Sequence, residues 1–564
     1  MTDHPMKLAA ALCLIAAVSA HAADMTTPAL PTEIPGVMPR GEVLELSLTD
    51  AWSMALARNL DLHVGRFDLA IADADVQRSV GIFDPVLTAG VNGDSTTSPS
   101  ASVLEGAAVP ESRNTRFNLG VGTLLPTGTQ LSLDARTTRS ETNSEFAFVN
   151  PSWTTSLTAG LTQPLLRDFG TLVNRAGLIL AQNGRDQTAV GFELSVINVL
   201  QNVELAYWDL AAARAAIQVR QQSLQLAEQL LDETRERVKV GTSAPIDTVQ
   251  SEATVAARNQ DLIVARNQAG NAEDTLKSVL GFDTPVEWMT PIETTEKAET
   301  ARLEPALAEA IRTALAHRPE LQQQELSIDA LEINERLARN ATLPSLDLTA
   351  RYGFSGLGGT LNETEPIPQM MKSGFSDSWN SVTGWDFPAW ALGVNLSVPI
   401  GNNEAEATLV RRRWELQQGE ARLRSMQQMI IQQVRVAVRA LSDGAANIDA
   451  ALASVELAER NLEAEQTKFD NGLSTNFQVL QIQDDLAQAQ LTLIQAYLSY
   501  RRAMSGYRVA TGSLLTDHGI EIMDPGAPDV PHDYWGDVEW LQFSDLSTAA
   551  DRVDHPVPKV DSNG

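Results

Sequence analysis

Asp484 and Asp485 are the closest this sequence comes to a catalytic acid pair, and their spacing spoils it. Neighbours on a helix point about 100° apart, whereas general acid–base work needs two carboxyls aimed at one bond. Histidine offers no better start. His63 and His317 stand singly in helical segments, and His518, His532 and His555 lack the spacing of a metal site. No glycine loop followed by Lys and Ser/Thr is present to cradle a phosphate. The one cysteine, Cys13, lies inside an apolar run, which excludes a thiolate metal site or a disulfide framework. The residue types predict a chain that is not an enzyme and that holds no metal and no cofactor.

Charge narrows the partners. A formal net charge of -30 and a pI near 4.6 disfavour nucleic acid, because binding phosphates takes clustered Lys and Arg. Lys7, the apolar run Leu8–Val18 and Ser-Ala-His-Ala up to Ala22 read as a secretory signal over 1–22. Leu12, not a small residue, precedes Cys13, which argues against a lipoprotein anchor there. Residues 23–45 read as an extended leader. No later stretch supplies about 18 continuous apolar residues, so a membrane crossing would have to be a β-barrel.

The elements that organise the chain occur twice. Apolar residues fall at every seventh position in Val203, Leu210, Ile217, Leu224, Leu231 and Val238, and again in Val434, Leu441, Ile448, Val455, Leu462 and Phe469. Each member of the second set lies 231 positions after its partner, and so do Gly472 after Gly241 and Gly512 after Gly281. A heptad beat marks the seam of a coiled-coil helix. Each copy predicts one helix on the order of 100 Å long, a short Gly-centred break, and a return helix. Upstream, a helical pattern from about Leu46 to Val80 repeats from Leu303 onward at a shift of 259, as in Leu48 and Leu307 or Pro85 and Pro344. Duplication is the economical explanation. The predicted units are 46–281 and 303–512, with a linker over 282–302 and an acidic C-terminal tail over 513–564.

After Pro85 and Pro344 the period changes from helix to strand. Phe117–Leu125, Gln130–Arg136, Ser156–Gln163, Ser345–Tyr352 and Ala391–Val398 all alternate. Polar loops lie between them, in Gly93–Arg113 and Gly356–Trp385. Such strands fit either an outer-membrane barrel or a half-buried antiparallel sheet. The fold class predicted is mainly α with a membrane β-barrel.

Duplicated halves, each running helix, strands, long helix and return helix behind a signal segment, resemble the TolC-type outer-membrane efflux proteins. The likeness rests on Leu48–Leu62, on Ala306–Leu321, and on the turns at Gly241 and Gly472. It implies a homotrimer whose strands share one barrel in outer-membrane lipid and whose helices form a periplasmic tunnel. It also implies two partners, a periplasmic adaptor (membrane fusion) protein and an inner-membrane transporter. Docking on the adaptor then falls to Gly241, Thr242 and Ser243 and to Gly472, Leu473 and Ser474, residues that would equally suit a plain helix-hairpin turn. Some members narrow the tunnel with aspartates six and nine residues past the second turn glycine, where this chain has Gln478 and Gln481. The constriction candidates are these two with Asp247, Asp484 and Asp485, and solvated helix residues are the plain alternative. The function implied is passive export, with drugs, metal ions, oligosaccharides and secreted proteins all open as cargo. The rival is a non-conducting trimeric coiled-coil scaffold.

The two shifts differ by 28 residues, and Pro164 pairs with Pro399 at 235, so the first half carries 24 extra residues among its strands. The candidate is a hairpin over Phe117–Arg136, turning at Leu125–Thr129. It either joins the wall, giving six strands per subunit and about eighteen per trimer against the family's usual twelve, or folds over the rim or projects beyond the membrane. Pro126 at the periplasmic rim would mark the first arrangement.

Overall fold

The structure is a computed structural model that describes residues 43–99, 106–296, 302–361, 374–520 and 522. The signal segment, most of the leader, parts of both polar loops, and most of the tail, with His532 and His555, lie outside the described residues.

Two long helical hairpins dominate. The first is α3 (Thr171–Lys239, 69 residues) returning as α4 (Pro245–Leu280, 36 residues). The second is α9 (Asn403–Asp470, 68 residues) returning as α10 (Asn476–Thr511, 36 residues). At 1.5 Å per residue, α3 and α9 each run about 100 Å. The return helix covers one half of that length, and a broken pair covers the rest: α1 (Leu48–Arg58) with α2 (Leu60–Val80), and α6 (Leu307–His317) with α7 (Pro319–Ala341).

The sequence predicts one helix where each of these pairs stands, and the break has a local cause. The Asn59 side chain accepts from the N–H groups of Asp61 and Leu62, capping α2 and leaving Asn59 itself extended. In the second half Pro319 opens α7, and the residue before a proline avoids helical backbone. A second correction concerns the helix expected to start near Leu46. The chain first forms β1 (Leu44–Leu46), which pairs in parallel with β6 (Ile292–Thr294). Within the expected 282–302 linker, the described residues thus form α5 (Pro285–Met289) and β6.

The duplication is visible in the packing. Ala51, Ala55 and Leu62 meet Val199 and Val203 in one core, while Ala310, Ala314 and Leu321 meet Ile430 and Val434 in another. The heptad positions are fully buried near mid-helix, as at Val203, Leu210, Val434 and Leu441, and only half-buried at Ile217, Leu224, Val455 and Leu462.

At the opposite end from the hairpin turns lies one antiparallel sheet of six strands: β2 (Val86–Thr97), β3 (Glu111–Leu124), β4 (Gln130–Thr142), β5 (Val149–Pro164), β7 (Ser345–Leu361) and β8 (Pro388–Ser397). They neighbour one another in that order. The extra hairpin, β3–β4, is thus inside the wall, paired along its whole length on both sides. Its turn is at the helical rim. Gly128, at φ 89°, returns the chain, the Gly170 N–H donates to the Thr127 carbonyl, and Thr129 bonds Gln163. Pro126 sits in that turn, which removes the alternatives of a folded-over or projecting hairpin.

Register gives the sheet two unlike faces. Leu87, Val121, Leu133, Ala159, Tyr352 and Trp390 lie side by side across all six strands. One step along, Thr88, Gly120, Asp134, Thr158, Gly353 and Ala389 form the neighbouring row on the other face. The first face is apolar and open, with Trp390, Leu392 and Val394 exposed. The second is polar, with Arg116 paired to Asp94 and Arg136 donating to Asn118 at 3.0 Å. No helix among the described residues is long and apolar enough to cross a membrane.

Candidate functional site at the helix tips

Each hairpin tip is built by the same device. The Gly241 N–H donates to the Val238 carbonyl (3.1 Å) and Thr242 to Arg237 (2.9 Å); Gly472 donates to Phe469 (3.1 Å) and Leu473 to Lys468 (2.8 Å). This pattern satisfies the last carbonyls of a helix and requires a left-handed residue, which is why glycine stands there, at φ 78° and 72°. The return helices are capped differently. The Asp247 carboxylate accepts from the Ala244 N–H (3.1 Å), and the Thr475 hydroxyl caps Gln478.

The six tip residues predicted for docking do cluster at two adjacent turns. Around them the surface is apolar: Val240, Ile246, Val249, Leu473 and Phe477 are all exposed, Leu473 at 79%. Ser474 is not free. It donates to the Glu465 carboxylate, beside Lys468, and together they hold that carboxyl below its usual range.

The constriction candidates divide. Gln478, Gln481 and Asp485 are exposed on one face of α10 at helical spacing. Asp484 turns toward α4 and pairs with Arg258 at 2.5 Å, and Asp247 serves as a cap. Asp247 and Asp484 are thus engaged within the subunit, one as a cap and one in an ion pair.

Residues that pattern reasoning passed over lock the two tips together. Asn476 is buried; its Nδ2 donates to Ser251 Oγ (2.7 Å) and to the Asp247 carbonyl (3.3 Å), while Thr234 donates to its Oδ1 (3.3 Å). Arg237 reaches the Phe469 carbonyl at 3.1 Å and stacks over the Phe469 ring at 4.1 Å. The available signal was a mismatch between the copies, since the position matching Asn476 at a shift of 231 is Pro245.

A tip of paired glycine turns at one end, and a two-faced sheet at the other, can now be set beside known proteins. The family model described as outer membrane efflux protein matches residues 51–282 and 310–513. The chain belongs to that family. Among its relatives, the outer membrane efflux protein BepC of Brucella suis is 25% identical over 334 residues, covering 58% of this chain and 66% of that protein. Outer membrane protein TolC of Escherichia coli is 23% identical over 305 residues, 54% of this chain and 59% of TolC. These alignments thus span about two thirds or less of either relative's length. The fold matches the Campylobacter jejuni CmeC outer membrane channel at a TM-score of 0.61 and 15% identity, over 83% of this chain and 85% of that one. Membership places this protein in the outer membrane, extending into the periplasm.

Proposed function

We propose that the chain is one subunit of a homotrimeric export conduit that passes cargo across the outer membrane passively. The observation that carries this reading is the six-stranded sheet with one apolar face, one polar face and two unpaired edges, β2 and β8. Unpaired backbone groups cost several kcal/mol each in hydrocarbon, so the edges must find partners. Six is even, so β8 of one copy runs antiparallel to β2 of the next and an up-and-down barrel closes. Three copies give eighteen strands, and a lumen roughly half as wide again as twelve would give. The polar row Thr88 to Ala389 then lines water, and the apolar row faces lipid. That water-facing row favours a conduit over the coiled-coil scaffold.

The repeats 46–281 and 303–512 act as the two units of each subunit. The tips, with Gly241, Thr242, Ser243, Gly472, Leu473 and Ser474 at their centre and the exposed apolar residues around them, dock on a periplasmic adaptor. An inner-membrane transporter supplies the energy, since this chain's residue types offer no catalytic site. Gln478, Gln481 and Asp485 narrow the tunnel near the tips, while Arg258 and Asp484 hold α4 to α10. Conductance of purified protein in planar bilayers tests the reading. Discrete channel openings are expected, and a stable monomer in detergent or a silent bilayer would sink it.

A further inference from the structure

The sheet's apolar face does not end in open solvent at its outer edge. Above the row Ala89, Leu119, Ala135, Leu157, Phe354, the next row on that face holds Phe117, Thr137, Thr155 and Gly356, and a short helix, α8 (Phe375–Thr383), lies across its inner part. The fit is close. A Cβ on Gly356 would come 2.0 Å from the Ser378 carbonyl oxygen, and one on Gly358 2.4 Å from that of Gly374. Ser378 is fully buried and shares a 2.9 Å hydrogen bond with Thr155, and Val382 is buried beside it. The outward side of α8 is polar, with Ser376, Asn380 and Thr383 exposed. Aromatic rings flank it: Phe375 packs edge-on to Trp153, and Trp385 edge-on to Phe354, with Phe387 and Trp390 exposed nearby. Trp385 is held at φ 63°, a backbone conformation that bulky residues rarely adopt.

We propose that α8 and its flanking aromatics form a collar that lies on the outer wall of the barrel at the headgroup boundary of the outer leaflet and seats the barrel at that depth. This rests on the reading of the apolar face as lipid-facing. Aromatic side chains prefer the boundary between headgroups and acyl chains. A helix satisfies its own backbone, so it can lie against the wall where a bare loop could not. The polar outward side fits headgroups and would be misplaced among acyl chains. The occupant of this surface is therefore lipid headgroup, continuous with the acyl contact of the rows below.

The test uses single labelled cysteines, Asn380→Cys on the collar and Leu392→Cys in the apolar band, in phosphatidylcholine vesicles. Cys13, the chain's only native cysteine, lies in the expected signal segment. A bimane at 380 should lose most of its fluorescence to headgroup-nitroxide lipid and little to mid-chain nitroxide, with the reverse at 392. Adding Gly356→Ala should lift the collar and remove the headgroup effect at 380. Quenching at 380 only by aqueous iodide, with 392 still quenched from the acyl chains, would overturn the collar and leave the lipid-facing wall standing. Protection of 380 from both quenchers would mean that protein covers it, which also overturns the proposal. Failure of 392 to respond to any lipid probe would overturn the collar and the barrel reading together.

Discussion

The two halves of this protein close the same joint with different side chains. Gly281 ends the first return helix at φ 76°, and its missing Cβ leaves room for the Arg58 carbonyl oxygen, which would lie 2.6 Å away. Gly512 does the same at φ 71° against the His317 carbonyl oxygen, at 2.9 Å. Next to the first joint, Asn59 donates to the Val279 carbonyl; next to the second, Arg318 donates to Val509 and Ala510. A short amide and a long guanidinium thus reach the same free helix-end carbonyls. What duplication has kept is the need to satisfy those groups, and what it has left open is the residue that does so.

Around this common joint the halves diverge. The first half gathers chain from far away, with β1, β6 and α11 (Leu514–Asp517) packed over Trp52, Tyr207 and Trp208. Leu514 and Leu515, at the start of the expected tail, are buried there, and His518 stacks on Trp52. The second half has a smaller core in which Ile311 stands where Trp52 does. Strain and loss should therefore be tolerated unequally at matched positions.

The largest contrast is expected between tip and joint. A Cβ on Gly472 meets nothing within 4 Å, so the main cost of Gly472→Val is its left-handed backbone, roughly 1–2 kcal/mol. Export should be abolished while the trimer persists, because the turn that presents Leu473 is reshaped. Gly512→Val adds a carbonyl clash and should weaken the trimer itself. Equal export by Gly472→Val and the unaltered protein would remove the tip from function.

Next comes the core. Trp52→Ala should cost about 3–5 kcal/mol and also remove the indole N–H that donates to the Leu200 carbonyl at 3.2 Å. Ile311→Ala, only partly buried, should cost clearly less, read as the midpoint of thermal trimer dissociation. Similar losses would mean that the halves share stability evenly.

A smaller effect is expected at the tip lock. Asn476→Ala leaves Ser251 and Thr234 without their shared partner, at a cost of about 1–3 kcal/mol. Hydrogen exchange should speed up near 240–255 and 470–480, with the sheet unaffected. Exchange unchanged at both tips would show that the hairpins are held by packing alone.

The smallest effect is a pH slope. Glu204 is buried under the first joint, with Oε2 unpaired and Arg508 at 3.6 Å, and burial pushes its carboxyl up despite that cation. The folded state then holds the proton more tightly than the unfolded chain. Its contribution is full below the ordinary value of 4.5 and is lost as pH rises through the folded value. Glu204→Gln should therefore gain stability over the unaltered protein at pH 8 and gain little in mild acid. A uniform change at both pH values would place the effect in packing.

Local rules explain how much was legible. The left-handed glycines that end the four hairpin helices, the alternation that sorts the sheet into two faces, and the shifts of 231 and 259 are all written in the sequence, because each reflects one residue's backbone freedom or a recurring spacing. Even the surplus hairpin and the turn bearing Pro126 were countable. Tertiary structure decided the rest: that β3 and β4 join the wall, that Asp484 meets Arg258, that Asn476 spans two tips, and that α8 lies over Gly356. Those contacts join residues up to 242 positions apart. Nothing in a heptad or an alternating strand specifies which distant partner will meet a side chain once the long helices and the sheet are brought into register.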